Sequence, residues 1–478
     1  MTCNIHTNSI VKPNLCSGMS INGSLSLISS KRRRSDSCSI TVRAALVKEK
    51  PAICTANQLH YVQIPNTDWK LALWRYLPSS NYVVDESRNH PLLLLSGVGT
   101  NAIGYDLSPQ VSFARHMSGQ GFDTWILEVQ GAGFSMKELE SFPRFSKSSL
   151  GQSEVKDWSQ GVSDYIGKLQ NTIPPTFPEL GEKYMPMVED FQKQLDLFLN
   201  SDWDFDQLLK EDSLYVKLGI GCIVNYIREQ SNPDDEKLFA IGHSMGGILL
   251  YAMLSFCGFK GRDSPFSAVV TIASSLDYSS SKSSLKLLLP LADPAEAINI
   301  PAIPIGALLA TMHPLASRPL FLLSWLNSQI SAQDMMLPEM FDKLVLKNFC
   351  TIPAKLLLQL TTAFESSGLS DRTGTFFYKD HLHMSNVPIL ALAGDQDLIC
   401  PPEAVYETVK LIPEHLITYK VFGEPGGPHY AHYDLVGGRF APKKVYPCII
   451  DFLGAHDELD TSLAAQALVD CSSSASCS

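Results

Sequence analysis

Residues Lys237–Phe256 read KLFAIGHSMGGILLYAMLSF, and the six at their centre, Gly242-His243-Ser244-Met245-Gly246-Gly247, hold the pattern G-x-S-x-G between a short apolar run and a longer one. With Gly at about 7% of residues and Ser taken as similar, such a pentapeptide arises by chance roughly 0.15 times in a chain of this length, so context has to carry the reading. Lys237–Ile241 predicts a buried strand, and Ile248, Leu249, Ala252, Met253 and Phe256 recur at helical spacing. Strand, turn and helix therefore follow one another in the order that a nucleophile elbow demands. In that turn the serine is held in a strained conformation, and a Cβ on either flanking glycine would collide with the bend, so Gly242 and Gly246 supply the room. The helix aims its unpaired N-terminal N–H groups and positive dipole end at the space beside Ser244, with Met245 N–H as the nearest donor.

Working outward, two more apolar runs end in glycine-rich loops. Pro91–Leu95 leads into Ser96-Gly97-Val98-Gly99-Thr100-Asn101, and Thr124–Val129 leads into Gln130-Gly131-Ala132-Gly133-Phe134-Ser135. Continuous runs of this kind predict strands buried on both faces, and the helix-compatible spacing over Leu107–Gly119 makes the pair a β-α-β unit. His60–Ile64 and Lys70–Trp74, separated by the turn residues Pro65-Asn66-Thr67-Asp68, predict an antiparallel opening pair. Ser267–Ala273, Val387–Ala393 and Ile417–Phe422 add further strands, and Lys443–Leu453 a closing helix. The alternation predicts an α/β fold with a mostly parallel central sheet flanked by helices.

Two stretches interrupt it. Residues 139–213, with Pro174-Pro175 and Pro178, predict an insertion within a first core part spanning 60–276. Residues 277–385, helical and repeatedly broken by proline, sit where a helical cap or lid would lie, before a second core part at 386–456. The end of the chain, 457–478, finishes in CSSSASCS and reads as a disordered tail.

Composition bounds the partners. The formal charge is −11, but residues 1–44 hold six Lys/Arg against one Asp, a net +5, so the remainder carries −16 and nucleic acid is excluded as a partner class. Eleven scattered cysteines without a C-x-x-C pair indicate neither a disulfide framework nor a zinc site. No apolar stretch is long enough and free enough of charge and proline to span a membrane, which leaves peripheral membrane contact by the apolar Leu285–Leu326 region open. The first 35 residues lack Asp and Glu, are rich in Ser and carry Lys31-Arg32-Arg33-Arg34. That is organelle-targeting composition, and Val42-Arg43-Ala44-Ala45 resembles the processing site of chloroplast transit peptides, giving a leader over 1–44.

A serine hydroxyl needs a base to take its proton and a carboxylate to orient that base. Val387–Ala393 runs into Gly394-Asp395-Gln396-Asp397, an acidic loop directly after a buried strand, which offers Asp397 as the acid with Asp395 as the alternative. His429-Tyr430-Ala431-His432-Tyr433-Asp434 follows the last strand and offers His432 as the base, with His429 as the alternative and Asp434 as a brace of the loop. An oxyanion hole needs two donors, each worth about 3–4 kcal/mol when lost. Met245 N–H is one, and Val98 or Gly99 N–H from the first glycine loop the other. Gly97-Val98-Gly99-Thr100-Asn101-Ala102 is not a full G-x-G-x-x-G, so a dinucleotide cofactor is not indicated; no cofactor or metal is expected.

With Ser244, Asp397 and His432 in this order around the GHSMGG elbow, residues 60–455 resemble the α/β-hydrolase superfamily, and in particular plant plastid-type members with acid-lipase-like motifs. Gly121-Phe122-Asp123-Thr124-Trp125, Gly131-Ala132-Gly133-Phe134-Ser135 and His432-Tyr433-Asp434 are similar to the G-[YF]-D-V-W, R-G-x-x-x-S and H-x-D segments of acid lipases. Ser96-Gly97 stands where His-Gly is usual, and Gln130 where arginine is usual. The resemblance implies a serine hydrolase acting on a small-molecule or lipid-like carboxylic ester with a sizeable apolar part. Acyl transfer, elimination or cyclisation on the same fold, and a receptor-like binding role, remain as alternatives at this stage.

Overall fold

The computed structural model describes residues 44–78, 88–137, 203–209, 219–286, 302–303, 305–306, 309, 313 and 325–457. All but the last residue of the leader expected at 1–44, most of the insertion at 139–213, most of Leu285–Leu326 and all but the first residue of the tail expected at 457–478 lie outside the described residues. Within the insertion, residues 203–209 include a short helix, Phe205–Leu209.

The strands are β1 (Ala44–Leu46), β2 (Gln58–Gln63), β3 (Trp69–Tyr76), β4 (Leu92–Leu95), β5 (Thr124–Glu128), β6 (Met136–Lys137), β7 (Leu238–His243), β8 (Phe266–Ile272), β9 (Ala302–Ile303), β10 (Ile352–Pro353), β11 (Ile389–Gly394) and β12 (Ile417–Phe422). Ten of them form one sheet in the order β1-β2-β3-β5-β4-β7-β8-β11-β12, with β6 paired to β3; β9 and β10 pair separately. Along that order the pairings from β1 to β5 are antiparallel and those from β5 to β12 are parallel, while β6 with β3 and β9 with β10 pair antiparallel. Every residue of β4, β5, β7 and β11 is buried, which is why these segments appear in the sequence as unbroken apolar runs. Edge strand β12 mixes half-buried and exposed positions instead, and buries only its last residue, Phe422.

The chain order along the sheet reverses at β4, which has β5 on one side and β7 on the other. Loops leaving the carboxyl ends of strands at such a point diverge and open a crevice. Register sets what faces it: Leu95 lies opposite Gly242, so the Ser96–Asn101 loop and the turn at Ser244 emerge side by side.

Behind the elbow, helix Met245–Phe259 is buried along most of its length, from Met245 through Ala252. Its Leu249 and Leu250 are each fully buried, and burial of such side chains contributes about 1.5–3 kcal/mol apiece. Tyr251 is buried with its hydroxyl 2.7 Å from Thr271 Oγ1 on β8, so the phenol does not go unpaired.

Two elements depart from the sequence-based expectation. The helix predicted over 107–119 begins at Phe113, because Ser112 is extended and its side chain accepts the Arg115 N–H as an N-cap; Ala102–Tyr105 is a separate 3-10 turn capped by Asn101. The closing helix is split into Ala441–Lys444 and Tyr446–Ala455, where Pro447 lacks the N–H that would continue a single helix. Between β8 and β11 the described chain includes the helices Trp325–Ile330, Pro338–Lys347 and Ala354–Thr361, joined by turns and irregular segments. Its later part turns back under the sheet: Ser255 Oγ on the elbow helix donates to the Tyr378 carbonyl at 2.6 Å. Among the described residues no helix is long and apolar enough to cross a membrane.

Candidate functional site

Ser244 follows β7 with φ 54° and ψ −120°, a region that L-residues rarely occupy. The conformation is held by its neighbours. Ser244 N–H donates to the Ile272 carbonyl at the end of β8 (2.9 Å), and its own carbonyl accepts the Gly247 and Ile248 N–H groups at 3.0 and 3.2 Å. The flanking glycines are required by close approach: a methyl on Gly242 would stand 2.3 Å from the Gly246 carbonyl carbon, and one on Gly246 2.1 Å from the Leu95 carbonyl oxygen. Met245, the first helical residue, is buried, so its N–H lies in a water-poor corner beside the serine.

The two acidic and two histidine candidates sort into separate pairs. Asp397 Oδ2 lies 2.8 Å from His432 Nδ1, with both side chains almost fully buried, at 0% and 4% exposure. Asp397 Oδ1 accepts the Ile399 and Cys400 N–H groups at 2.9 and 2.8 Å, which fixes the carboxylate plane. Asp395 instead pairs with His429 Nδ1 at 2.5 Å and accepts Tyr430 N–H at 2.9 Å, and this pair is substantially solvated, with 27% and 39% exposure.

His432 is also held through its main chain. His243, the residue before the serine, donates Nε2–H to the His432 carbonyl at 2.9 Å, and the two imidazole rings are 4.7 Å apart. Burial pushes the His243 pKa down to about 3, and the neighbouring His432 pushes the same way, so His243 stays neutral and its proton remains on Nε2. Asp434 accepts the Ala431 N–H (2.8 Å), the Ala332 N–H (2.7 Å) and the Ser331 hydroxyl (2.6 Å), bracing the histidine loop. Burial raises its carboxyl to about 6 against those three donors. Ser244 is half-buried and its hydroxyl makes no hydrogen bond to a described residue, so contact with His432 requires a side-chain rotation or tightening around a bound substrate.

On the other side of Ser244 lies the β4 loop. A methyl placed on Gly97 would stand 3.3 Å from Ser244 Cβ and 3.7 Å from its Oγ, so Gly97 is the loop residue packed against the serine. Sequence reasoning singled out Val98 and Gly99. In the fold Val98 is half-buried, while Gly99 (φ 59°) turns its Cα toward Ile352 and its carbonyl accepts the Cys350 N–H at 2.7 Å. The β4–β7 register is what brings Gly97 to Ser244, and the glycine-rich loop alone could not have distinguished it. Glu128, at the end of β5, ties the glycine loops together by accepting Ala102 N–H and Phe134 N–H at 3.0 and 2.7 Å; burial raises its carboxyl to about 7.

Elsewhere, a cavity of about 440 Å3 is lined by Met253, Phe256, Phe259 and Phe376 at the far end of the elbow helix, away from the serine. Among the described residues no cluster of three His, Cys, Asp or Glu is arranged to hold a metal ion.

A strained serine at the crevice of a largely parallel sheet, with a buried imidazole–carboxylate pair on the adjoining loops, defines the class of proteins organised around a nucleophile elbow. Residues 90–434 match the profile of the alpha/beta hydrolase fold, and the chain belongs to that family. A search of curated proteins gives no significant match. Solved structures that resemble the chain include a monoacylglycerol lipase from Paleococcus ferrophilus (13% identity, 81% of this chain and 99% of that one, TM-score 0.42). A soluble variant of monoglyceride lipase from Saccharomyces cerevisiae is similar to the same extent (13% identity, 84% and 95%, TM-score 0.43). So is a carboxylesterase of the thaumarchaeon Nitrososphaera gargenis (14% identity, 83% and 98%, TM-score 0.42). Likenesses this distant carry no argument about activity.

Proposed function

We propose that the chain is a serine hydrolase that cleaves a carboxylic ester with a sizeable apolar part, acting in plastids. The observation that carries the proposal is the buried Asp397–His432 pair, 2.8 Å apart, beside an elbow serine. Asp397 keeps the His432 proton on Nδ1 and leaves Nε2 free to accept. Ser244 Oγ attacks the ester carbonyl carbon as His432 Nε2 takes its proton, and the developing oxyanion is met by Met245 N–H and the N–H groups of the 97–99 loop. His432 returns the proton to the leaving alkoxide, and water then releases the acid from the acyl-serine by the same steps.

The substrate class rests on the apolar, proline-broken composition of 277–385 and on Phe349, Cys350 and Ile352 from that stretch, which pack beside the β4 loop. A lipid-like substrate of this kind makes peripheral membrane contact part of the proposal. Plastid location rests on the acid-free, Ser-rich, basic leader. The test is a series of p-nitrophenyl esters of increasing acyl length, run with the mature chain in 18O-water. Rising kcat/KM with acyl length and 18O in the released acid support the reading. Preference for the shortest acyl groups would refute the substrate class, and product without 18O would refute hydrolysis.

A further inference from the structure

Two described segments of the stretch between β8 and β11 are bonded into the loops that carry the chemistry. Lys347–Ile352 closes on the β4 loop. Cys350 N–H donates to the Gly99 carbonyl (2.7 Å), Asn101 N–H to the Asn348 carbonyl (3.0 Å) and Asn101 Nδ2 to the Lys347 carbonyl (2.8 Å), while Thr100 and Phe349 form an antiparallel bridge. Ile330–Met335 holds the histidine loop. Tyr433 N–H donates to the Ile330 carbonyl (2.9 Å), Arg439 N–H to the Met335 carbonyl (2.8 Å), and Ser331 and Ala332 both donate to Asp434.

The Tyr433 phenol bonds the Thr100 side chain of the β4 loop directly, and one further side chain bonds to both loops. Asn348 is fully buried; its Oδ1 accepts Gly104 N–H at 2.9 Å, and its Nδ2 donates to the Tyr433 hydroxyl at 3.1 Å. Gly104 belongs to the 3-10 turn that continues the β4 loop, and Tyr433 is the residue after His432. The carboxamide offers an acceptor on one side and a donor on the other at fixed spacing, so it ties the Gly104 amide to the Tyr433 phenol, while its main-chain carbonyl holds Asn101. A buried Asn bonded only within its own element would be ordinary core satisfaction. Asn348 follows helix Pro338–Lys347 as its C-cap, and its main-chain N–H donates to the Leu344 carbonyl at 3.1 Å, but both side-chain partners and Asn101 lie outside that helix, on the chain after β4 and on the histidine loop.

We propose that Asn348 is the positioning residue that sets the oxyanion loop and His432 at their working separation. It touches neither substrate nor the reacting atoms, and acts by holding Asn101 and Gly104 on one side and Tyr433 on the other. Misplacement of reacting groups by about 1 Å from such a remote position can cost on the order of 100-fold in rate.

The inference rests on the serine-hydrolase reading, so the wild-type chain is first titrated with a fluorophosphonate. Failure of folded wild type to label would overturn that reading and the inference with it. Given labelling, kcat is measured per titrated Ser244 alongside a thermal melt. Asn348→Ala is expected to lose about 10- to 100-fold in kcat per site with KM changed less than about threefold, because the loss falls on transition-state geometry. Tyr433→Phe removes only the phenol oxygen, leaves the core intact if Asn348→Ala does not fold, and is expected to show part of the same loss. The phenol also bonds the Thr100 side chain, so the double variant is expected to lose less than the product of the two single losses, as parts of one shared network do. Unchanged kcat per titrated site in either single variant, with only a lower melting temperature, would overturn the proposal.

Discussion

Replacing Asp397 with Asn alters a single atom facing His432 and leaves the surrounding loop its hydrogen bonds. Asp397 Oδ1 accepts from Ile399 and Cys400 N–H at 2.9 and 2.8 Å, so in the variant the amide oxygen stays on that side and the NH2 group turns toward His432 Nδ1, now about 2.8 Å away. Nδ1 must then accept, and the imidazole proton moves to Nε2, the nitrogen that has to take the proton of Ser244. A carboxylate-to-amide exchange of this kind in a serine triad lowers kcat about 10,000-fold, equivalent to about 5.4 kcal/mol of transition-state stabilisation. Because both main-chain bonds survive and the side chain keeps its volume, the melting temperature should barely move. The assay is kcat/KM on a soluble ester with a melt of the same preparation, and Asp395→Asn serves as its companion. That second substitution acts on the solvated Asp395–His429 pair and is expected to leave kcat/KM near wild type. A loss of less than about tenfold in Asp397→Asn, or a larger loss in Asp395→Asn, would refute the assignment of acid and base.

Two further outcomes follow from packing and burial. Gly246→Ala puts a methyl 2.1 Å from the Leu95 carbonyl oxygen, and overpacking against backbone is expected to cost at least about 1–3 kcal/mol in chemical denaturation; a stability equal to wild type would mean that the elbow has more room than its geometry allows. Glu128 has its carboxyl raised by burial from 4.5 to about 7, so the folded chain keeps a proton that the unfolded chain has already lost. Stability from this group is full below about pH 4.5 and is lost as pH rises through 7, by at most about 3 kcal/mol. His243, lowered to about 3, works in the opposite sense and loses stability as pH falls below 6.5, so the difference between wild type and Glu128→Gln isolates the glutamate. Urea unfolding of both across this range should show wild type losing stability relative to the variant as pH rises, and parallel curves would refute the shift.

The parts of this fold that were legible in the sequence are those that burial writes into short stretches. Leu92–Leu95 and Leu238–His243 are inaccessible on both faces, so their composition alone marks them as inner strands, and the elbow shows as a pattern because Gly242 and Gly246 crowd each other within one turn, although Gly246 is also demanded by Leu95 across the sheet. The helix over 107–119 was overextended because apolar spacing continues through Leu107 while the cap at Ser112, a local side-chain bond, decides the start. Two acids two residues apart and two histidines three apart gave four pairings, and only the fold separates Asp397–His432 from Asp395–His429. That Gly97 is the loop residue packed against Ser244 depends on strand register, which the composition of the loop does not record. Asn348 left no trace, since its partners lie 244 and 85 residues away and a single asparagine makes no periodic signal.

Intact-mass spectrometry of the mature chain after exposure to a fluorophosphonate reads out whether Ser244 is an activated nucleophile. Wild type should gain one phosphonyl adduct, mapped to Ser244, and Ser244→Ala, folded to the same melting profile, should gain none. Equal labelling of the two, or no labelling of folded wild type, would contradict the account.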